Sequence, residues 1–265
     1  MDQMVQQIID IMKECSQIML EAEDIVHQIE VKEGKGNFVT VYDKRIQQAL
    51  QEKLSKLLPQ AYFMGEEDET TDSTEHIQKC LREGYAFIVD PIDGTTNFMK
   101  GVCHSCISVG LLLKGAPYIG VVYNPYLNEV FYAQRGEGAY RNDVPIHVSE
   151  HTLEDGIAIF GTTPYYEELS KLSFEMAYRY FCKCQDVRRS GSAALDLCSI
   201  ACGRAEVFFE LRICPWDYAA GALLVTEAGG VITDMSGKPL QYAEKTGVLA
   251  SGAVARRELT PDCYL

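Results

Sequence analysis

The chain has 265 residues, of which 47% are hydrophobic, and its formal net charge at pH 7 is −14. This length and hydrophobic content predict an ordinary globular protein with one large or two small domains around a substantial core. The acidic balance argues against nucleic acid and anionic membranes as partners, because neither attracts an acidic surface.

The amino-terminal segment and the cysteines bear on the compartment. Residues 1–7 contain no basic stretch followed by an apolar core, and no uncharged apolar run approaches the roughly 18 residues of a membrane helix. We therefore expect a cytoplasmic protein without a membrane partner. The ten cysteines are interpreted as buried thiols, because no second Cys-x-x-Cys lies at zinc-finger spacing. The scattered histidines give no support to histidine-based zinc hydrolysis.

Two amphipathic helices are predicted near the amino terminus. Apolar residues recur at intervals of three and four over residues 4–29, which predicts one long helix. A loop rich in lysine and glycine follows at residues 32–37. Asp43 could cap a second helix, which ends at Pro59. A short apolar run at residues 61–64 then precedes a polar stretch.

The middle of the chain changes to a period typical of strands. Another apolar run lies at residues 85–89, and short β-prone runs follow at residues 107–113, 118–123, 130–133 and 138–141. Turn residues separate these runs, which predicts an antiparallel meander. Beyond residue 150, strands are predicted at 157–160, 206–210, 231–234 and 247–250, and helices at 165–181, 193–201 and 217–227.

No internal repeat and no linker rich in proline or serine divides the chain. We therefore expect a single domain over residues 1–265, in which layers of helix alternate with two sheets. Its amino-terminal α+β half would cover about residues 1–150 and its carboxyl-terminal α/β half about residues 151–265, with the active site between them.

The most informative motif follows the apolar run at residues 85–89. Asp90 and Asp93 lie three positions apart and precede Gly94 and Thr95. Carboxylates at the carboxyl end of a strand suit Mg²⁺, which proteins hold through one or two carboxylates and substrate phosphate. The backbone N–H groups of residues 94–96 could then bind the phosphate. Taken alone, the motif could equally end a strand and open a turn.

Two further acidic sites favour the metal interpretation. Glu66, with its neighbours Glu67 and Asp68, follows the apolar run at residues 61–64, and Asp217 begins a predicted helix. Three acidic sites at element boundaries suggest ligands that converge on one place. Glu67 is either a solvated neighbour of Glu66 or a possible further contact.

These residues together resemble the inositol monophosphatase family of Mg²⁺-dependent, lithium-sensitive phosphatases. Four separated pieces carry the resemblance, at residues 65–67, 90–98, 191–194 and 216–221, with Glu-Ala-Gly-Gly at 227–230 behind the last. Their shared order over nearly the whole chain makes the resemblance specific. It implies an α/β (α+β) fold, namely a five-layered α-β-α-β-α sandwich, and a homodimer.

The resemblance implies a set of metal ligands. Glu66, Asp90 and the carbonyl of Ile92 would bind one ion. Asp90, Asp93 and Asp217 would bind a second. Glu66 would also hold a weaker third ion through its waters, so the site would take two to three Mg²⁺ ions, with Li⁺ as an inhibitor.

The resemblance also assigns catalytic roles to Glu66, Thr95 and Asp43. Thr95 would orient the attacking water, and Asp43 would accept the hydroxyl proton of Thr95. Lys32 matches a loop lysine near the third ion. Taken singly, Asp43 is more often a helix cap, and Lys32 would be a solvated surface lysine. The acidic residue usual in the Lys32 loop is replaced by Asn37, which bears on the third ion.

Substrate contacts are implied at two places. Glu210 would accept hydrogen bonds from inositol hydroxyls, and the turn at residues 191–193 would lie against the sugar. Alternatively, Ser192 is only a helix cap, Glu210 faces water at a strand end, and Trp216 serves packing. The implied substrate-binding residues are Asp93, Gly94, Thr95, Thr96, Gly191, Ser192, Ala193, Glu210 and Asp217.

The leading functional hypothesis is a phosphomonoesterase that hydrolyses inositol monophosphate through metal-activated water. The alternatives are a fructose 1,6-bisphosphate or NADP(H) phosphatase and a 3′-phosphoadenosine 5′-phosphate phosphatase. Residues 95–98 resemble the inositol branch rather than the nucleotide branch. A hypothesis from another class is an inactive metal-binding scaffold, which predicts a missing ligand, whereas every implied ligand is present.

Overall fold

The computed structural model describes residues 2–23, 29–31, 38–68, 74–164 and 166–259. Its helices are α1 (Gln3–Leu20), α2 (Val41–Leu57), α3 (Thr74–Glu83), α4 (Thr95–Met99), α5 (Glu167–Phe181), α6 (Ala193–Ala201), α7 (Pro215–Glu227) and α8 (Ala253–Glu258). Among these described helices, none is both long enough and apolar enough to cross a bilayer.

The strands form two large sheets and one small hairpin. The hairpin consists of β1 (Ile29–Val31) and β2 (Phe38–Thr40). The larger sheet has the order of the chain: β3 (Tyr62–Gly65), β4 (Tyr85–Asp93), β5 (Cys106–Leu113), β6 (Ala116–Asn124), β7 (Glu129–Gln134), β8 (Ala139–Arg141) and β9 (Val144–Ile146). Strand β3 is parallel to β4, and each later pair is antiparallel, which confirms the predicted meander.

The second sheet is mixed and has the order β11-β10-β12-β14-β13. Its strands are β10 (Ile157–Phe160), β11 (Asp186–Arg188), β12 (Val207–Ile213), β13 (Val231–Thr233) and β14 (Thr246–Ser251). Strand β10 is parallel to both of its neighbours, whereas β14 runs antiparallel to β12 and β13.

Side chains that alternate across each sheet explain how the layers stack. In β6, Val121 packs with α1 and α2, whereas the next residue, Val122, packs with α6 and α7. In β12, Phe208 belongs to the core around α6 and α7, whereas Phe209 packs with Tyr180 of α5. The layers are therefore α1/α2, the seven-stranded sheet, α6/α7, the five-stranded sheet and α5. This arrangement confirms the predicted α-β-α-β-α sandwich.

Helix α7 is apolar on all sides because it lies between the two sheets. Two strand glycines allow it to approach closely. A Cβ on Gly120 would lie 2.6 Å from the carbonyl oxygen of Ala220, and a Cβ on Gly110 would lie 2.9 Å from the Cβ of Ala219. This close contact holds the amino-terminal half of α7, which carries Asp217, against the strands β5 and β6.

The predictions for the amino-terminal helices need two corrections. The predicted helix over residues 4–29 ends at Leu20, and Ile29 lies in β1. The apolar spacing continues beyond Leu20, and periodicity by itself does not mark where a helix ends, so the predicted helix was too long. The cap of α2 is Thr40 rather than Asp43, which occupies the third helical position in a capping box.

Other differences concern short elements, Glu210 and the thiols. No sequence pattern predicted β1, β2, β9, β11, α3, α4 or α8. Glu210 lies inside β12 rather than at its end, and it is buried. The nine described cysteines are free thiols, but Cys103 and Cys182 are exposed, contrary to the expectation of buried thiols.

Candidate active site

Several helices and strands meet around a cavity of about 140 Å³. The carboxyl ends of β3 and β4 form one side, and the amino-terminal ends of α6 and α7, with β12, form the other. Parallel pairing places Gly65 opposite Val89, and the Glu66 N–H donates to the Val89 carbonyl at 3.1 Å. Glu66 therefore lies beside Asp90, although the two are far apart in sequence. A larger cavity of 640 Å³, between α1 and β7–β8, has a different lining.

Three carboxylates, which we call the acidic floor, lie together in the smaller cavity. One oxygen from each of Asp90, Asp93 and Asp217 lies within 4.8 Å of the other two. Asp90 and Asp93 are buried, and Asp217 is half-buried. Within the described parts of the chain, no lysine or arginine forms an ion pair with any of the three.

Burial raises the pKa of all three carboxyls of the acidic floor above the ordinary range of aspartate. The neighbouring carboxylates add to this effect: Glu66 and Asp93 raise the pKa of Asp90, and Asp93 and Glu66 raise that of Asp217. The carboxylate oxygens of this cluster suit a divalent cation, which prefers carboxylate and carbonyl oxygens as ligands and would compensate their negative charge. The residues present therefore suit a metal site.

One oxygen of each floor carboxylate accepts a backbone hydrogen bond. The Ile92 N–H donates to Asp90 Oδ1 at 3.0 Å, and the Cys214 N–H donates to Asp217 Oδ2 at 2.7 Å. The second bond belongs to the capping box of α7, so the helix start fixes the Asp217 side chain. Because each bond uses one oxygen, both carboxylates can also bind a ligand.

The start of α6 points at Asp93. The Ser192 hydroxyl donates to Asp93 Oδ2 at 2.5 Å, and the Ala194 N–H donates to the same oxygen at 2.7 Å. Ser192 also caps α6 by accepting from the Leu195 N–H. The two interpretations of Ser192, as a helix cap and as a site residue, therefore hold together. Gly191 and Ala193 line the cavity beside it.

Thr95 and Asp43 meet although 52 positions separate them. The Thr95 hydroxyl lies 3.2 Å from Asp43 Oδ1 and 3.1 Å from the Ile92 carbonyl oxygen. Thr40 donates its N–H and its hydroxyl to the other Asp43 oxygen, at 2.8 and 2.5 Å. Asp43 therefore belongs to the α2 capping box and contacts Thr95 as well. Burial raises the pKa of Asp43 to about 6.

A side chain from α2 also holds the loop that carries Glu66. Gln47 is buried, donates to Asp68 Oδ1 at 2.8 Å, and accepts from the Glu67 N–H at 2.8 Å. Asp68 in turn accepts from the Gly65 N–H at 2.7 Å. Gln47 was not predicted as a site residue, although it lies one helical turn after Asp43 on the same face of α2.

Gly94 makes the turn between β4 and α4. Its φ of 90° lies in the left-handed region, and a Cβ there would meet the carbonyl oxygens of Gly191 and His104 at 3.1 and 3.2 Å. Thr95 and Thr96 open α4 and line the cavity with Gly94. The first N–H groups of a helix have no acceptor within the helix, so they are available to an anion.

Glu210 lines the opposite wall of the cavity. Its Oε1 accepts from the Thr163 N–H at 3.0 Å and lies 3.4 Å from the Thr163 hydroxyl. A Cβ on Gly161 would lie 2.0 Å from the Glu210 carboxyl, so a side chain at this position would displace the carboxyl. Burial raises the pKa of Glu210 to about 7, and the charge of Arg189 opposes that rise.

Three exposed cations, which we call the basic rim, complete the lining: Arg189, Arg212 and Lys245. No pattern in the sequence predicted Arg189, Arg212 or Lys245 as site residues. Isolated basic residues on a strand end or in a loop give no motif, so only the tertiary structure reveals that they share one cavity.

Three other residues from the sequence analysis have different outcomes. Lys32 lies outside the described residues. The side chain of Glu67 contributes to the raised pKa of Asp43, and Glu67 does not line the cavity. Trp216 lines the cavity and also packs against the core of Met64, Leu81 and Ile88.

Comparison with known proteins was consistent across sequence and structure. A model described as the inositol monophosphatase family matches residues 1–262. The chain is 36% identical to the inositol-1-monophosphatase of Synechocystis sp. over 241 residues, which are 89% of this chain and 79% of that protein. It is 36% identical to the Nus factor SuhB of Escherichia coli strain K12 over 207 residues, which are 78% of this chain and 75% of that protein.

The fold matches that of solved structures as well. The crystal structure of the extragenic suppressor protein suhB from Bartonella henselae superposes with a TM-score of 0.84 at 31% identity. The match covers 96% of this chain and 95% of that one. Both large sheets and the helical layers are therefore shared along nearly the full length.

Proposed function

Because the chain belongs to the inositol monophosphatase family, we propose that it hydrolyses myo-inositol 1-phosphate to inositol and phosphate with Mg²⁺. Membership makes it a phosphatase of the inositol monophosphatase superfamily, which acts on small phosphate esters. The observation that carries the proposal is the acidic floor beside the Thr95–Asp43 pair, inside one cavity.

The acidic floor is the proposed place of the metal ions. Asp90, Asp93 and Asp217 would hold one ion, and Glu66, Asp90 and the Ile92 carbonyl would hold another. A third would lie near Glu66. When bound, Mg²⁺ would supply Lewis-acid chemistry to water and to the phosphate ester.

Thr95 and Asp43 would act on the nucleophile. The Thr95 hydroxyl has one proton, which either Asp43 or the Ile92 carbonyl can accept. If the Ile92 carbonyl serves as a metal ligand, the proton goes to ionised Asp43. The Thr95 oxygen is then free to accept from water and orient it toward phosphorus. Glu66, which lies beside Asp90, would be the third catalytic residue, acting through the metal ions it would hold.

The remaining lining would bind the ester. N–H groups of Gly94, Thr95 and Thr96 would hold phosphate oxygens. Ionised Glu210 would accept hydrogen bonds from polyol hydroxyls, next to the turn at residues 191–193. This wall is the feature that favours a polyol as the alcohol.

Several further properties are part of the same proposal. We propose a homodimer in the cytoplasm whose chains are single domains, with Li⁺ as an inhibitor and without a membrane or nucleic acid partner. A relative bears the name Nus factor, but the charge of −14 favours the phosphatase function over nucleic acid binding. If Li⁺ takes the second metal position after catalysis, its inhibition should be uncompetitive with substrate, and simple competition with substrate would count against this.

A panel assay tests the substrate. Phosphate release is measured from inositol 1-phosphate, fructose 1,6-bisphosphate, NADP⁺ and 3′-phosphoadenosine 5′-phosphate at equal concentration with Mg²⁺. We expect the highest kcat/KM for inositol 1-phosphate, and a strong preference for fructose 1,6-bisphosphate would replace the inositol assignment. Release from no ester would instead support the metal-binding scaffold, and a strong preference for either nucleotide would replace the inositol assignment.

A further inference from the structure

Asp196 is a buried carboxyl group that the proposed function leaves without a role. It lies in the first turn of α6, is 3% exposed, and lines the cavity. Burial raises its pKa, and a hydrogen bond from Ser190 opposes that rise. Burying a carboxyl costs folding free energy, which hydrogen bonds have to offset. The contacts of Asp196 therefore indicate what this costly group does.

The contact between Asp196 and Ser190 sets the direction of a hydroxyl. The Ser190 hydroxyl donates to Asp196 Oδ1 at 2.5 Å, and its oxygen accepts from the Ser192 N–H at 3.2 Å. A serine hydroxyl has a single proton to donate, and its other acceptor, the Ser192 carbonyl oxygen, lies at 3.5 Å. Because Asp196 is the nearer acceptor, the Ser190 oxygen keeps a lone pair for the Ser192 N–H. Asp196 thus holds Ser192 through Ser190.

Asn97 of α4 holds the same turn, residues 190–192, which we call the serine turn. Its Nδ2 donates to the Ser190 carbonyl at 3.0 Å. In the middle of the turn, Gly191 has a φ of 94°, in the left-handed region, and a Cβ there would lie 3.1 Å from Asn97 Nδ2. Side chains from two helices, α4 and α6, therefore fix the serine turn.

The serine turn carries a group that orients Asp93 of the acidic floor. The Ser192 hydroxyl donates to Asp93 Oδ2 at 2.5 Å, and the Ala194 N–H donates to the same oxygen at 2.7 Å. A continuous row of hydrogen bonds thus leads from Asp196 through both serines to Asp93. Without Asp196, the serine turn would be less firmly placed, and Asp93 would be held less rigidly.

We propose that Asp196 is a positioning residue for the metal site, which fixes the serine turn so that Asp93 is oriented to bind Mg²⁺. Contacts of this kind fix the orientation of a metal ligand, and their loss typically lowers metal affinity by about tenfold to a hundredfold. The proposal rests on the proposed function, because that function makes Asp93 a ligand of Mg²⁺.

The test measures how Mg²⁺ acts on variants of Asp196 and Ser190. The first readout is the Mg²⁺ concentration that gives half of the full rise in unfolding temperature, which requires no substrate. The second is the Mg²⁺ concentration for half-maximal phosphate release from inositol 1-phosphate. Asp196→Ala should raise both concentrations by about tenfold, with kcat largely recovered at high Mg²⁺.

Ser190→Ala and the double variant test the row of hydrogen bonds. If Asp196 acts through Ser190, then Ser190→Ala should give the same rise, and the double variant should be no worse than either single variant. Asp196→Asn keeps an oxygen that can accept from the Ser190 hydroxyl. It should therefore restore most of the Mg²⁺ affinity, to within about threefold of the wild type.

A buried serine elsewhere provides the matched control. The Ser173 hydroxyl donates to the Leu169 carbonyl at 3.0 Å within α5, outside the cavity. Ser173→Ala also removes a buried hydroxyl, so it should lower the metal-free unfolding temperature and leave both Mg²⁺ concentrations unchanged. A general loss of stability would therefore not imitate the expected result.

The outcomes separate this proposal from the proposed function. Wild-type Mg²⁺ dependence in Asp196→Ala, by both readouts, would overturn the positioning role and leave the phosphatase function in place. If Asp196→Ala does not fold, wild-type Mg²⁺ dependence in Ser190→Ala would overturn it equally. Additive effects of the two substitutions would overturn the route through Ser190. A wild type that Mg²⁺ stabilises but that releases phosphate from no ester would contradict the proposed function alone.

Discussion

The acidic floor and the basic rim lie in one cavity but are built in opposite ways. Hydrogen bonds from the Ile92 N–H, the Cys214 N–H and the start of α6 fix the carboxylates of the floor. The rim cations are exposed. Arg212 and Lys245 contact Tyr166, and Arg189 donates to the Thr162 hydroxyl. Backbone hydrogen bonds thus fix the floor carboxylates in place, whereas the rim cations are exposed side chains held only by side-chain contacts.

This difference predicts that substitutions in the floor and in the rim affect activity in different ways. A change in the floor alters charge in a buried place, where electrostatic effects are large, so it should affect every substrate. A change in the rim alters a charge that water and salt already screen, so it should affect some substrates and by small factors. The following predictions test this contrast, starting from the floor.

The largest effect is expected for Asp90→Asn. Asparagine keeps an acceptor for the Ile92 N–H but removes a charge that both proposed metal positions share, so kcat should fall by about a hundredfold or more. Phosphate release with inositol 1-phosphate measures this. Asp10→Asn, an exposed change on α1, is the matched control. Retention of more than a few per cent of activity would contradict the role of the floor.

The same variant should be more stable than the wild type without metal. The Asp90 pKa is raised in the folded state, so ionising this carboxyl costs folding free energy once the pH exceeds the ordinary range of aspartate. Asp90→Asn removes that cost at neutral pH and should raise the metal-free unfolding temperature by about 2 °C or more. Added Mg²⁺ should stabilise the wild type only. Equal Mg²⁺ stabilisation of both proteins would place the ion elsewhere.

The next effect concerns Asp43, beside the floor. Above its pKa of about 6 the carboxylate accepts the Thr95 proton, and below it the protonated group cannot, so kcat should fall as the pH drops through about 6. Asp43→Asn should lower kcat by about tenfold to a hundredfold and remove this dependence. A kcat–pH profile measures both.

A helix-cap control belongs with this experiment. Asp2→Ala removes the side-chain cap of α1, which accepts from the Met4 N–H at 2.7 Å, and should cost stability without changing the kcat–pH profile. If Asp43→Asn behaves like Asp2→Ala, with lower stability and the wild-type profile, then Asp43 acts only in the capping box.

A smaller effect is expected behind the floor, at Gln47. Gln47→Leu removes the bonds to Asp68 and to the Glu67 N–H, so the loop that carries Glu66 loses its support from α2. The Mg²⁺ concentration for half-maximal activity should rise by about tenfold, as loss of outer contacts to metal ligands does, with kcat largely recovered at high Mg²⁺. Gln6→Leu on the surface of α1 is the control. An unchanged Mg²⁺ dependence would reject the positioning role.

The smallest effect is expected for Arg189→Gln at the rim. Arg189 lowers the pKa of Glu210, so its removal should raise that pKa further above about 7. KM for inositol 1-phosphate should rise at low pH as Glu210 becomes protonated and can no longer accept from the substrate hydroxyls. In the variant this rise should occur at a higher pH, and the change should be less than about one pH unit because the charge of Arg189 is exposed. Arg188→Gln, whose side chain pairs with Asp186 outside the cavity, should leave the KM–pH profile unchanged. A shift in the opposite direction would exclude this coupling.

The sequence predicted the floor better than its surroundings. Asp90 and Asp93 of the floor, and Glu66 beside it, lie at the ends of short apolar runs, so a local motif identifies them and the strand ends that carry them. Helix α6 and strand β10 have the predicted bounds, because a serine cap and a short apolar run are both local signals. The end of α1 had no such signal and was placed too late.

The contacts around the floor had no local signal. Gln47 reaches Asp68 across 21 positions, and Thr163 reaches Glu210 across 47. Each side chain is an ordinary polar residue in sequence and gains its role when a helix or strand packs beside another. The same holds for Arg212 and Lys245, which only the pairing of β12 with β14 brings together.

The sequence by itself determined the chemistry of this protein, through carboxylates at strand and helix ends and apolar periods that build two sheets and their helices. The tertiary structure alone decided which groups share the cavity, how far each pKa is raised, and where positive charge lies opposite the carboxylates. The physical reason is range: capping, turns and periodicity act within a few residues, whereas burial and electrostatic coupling depend on packing between distant segments.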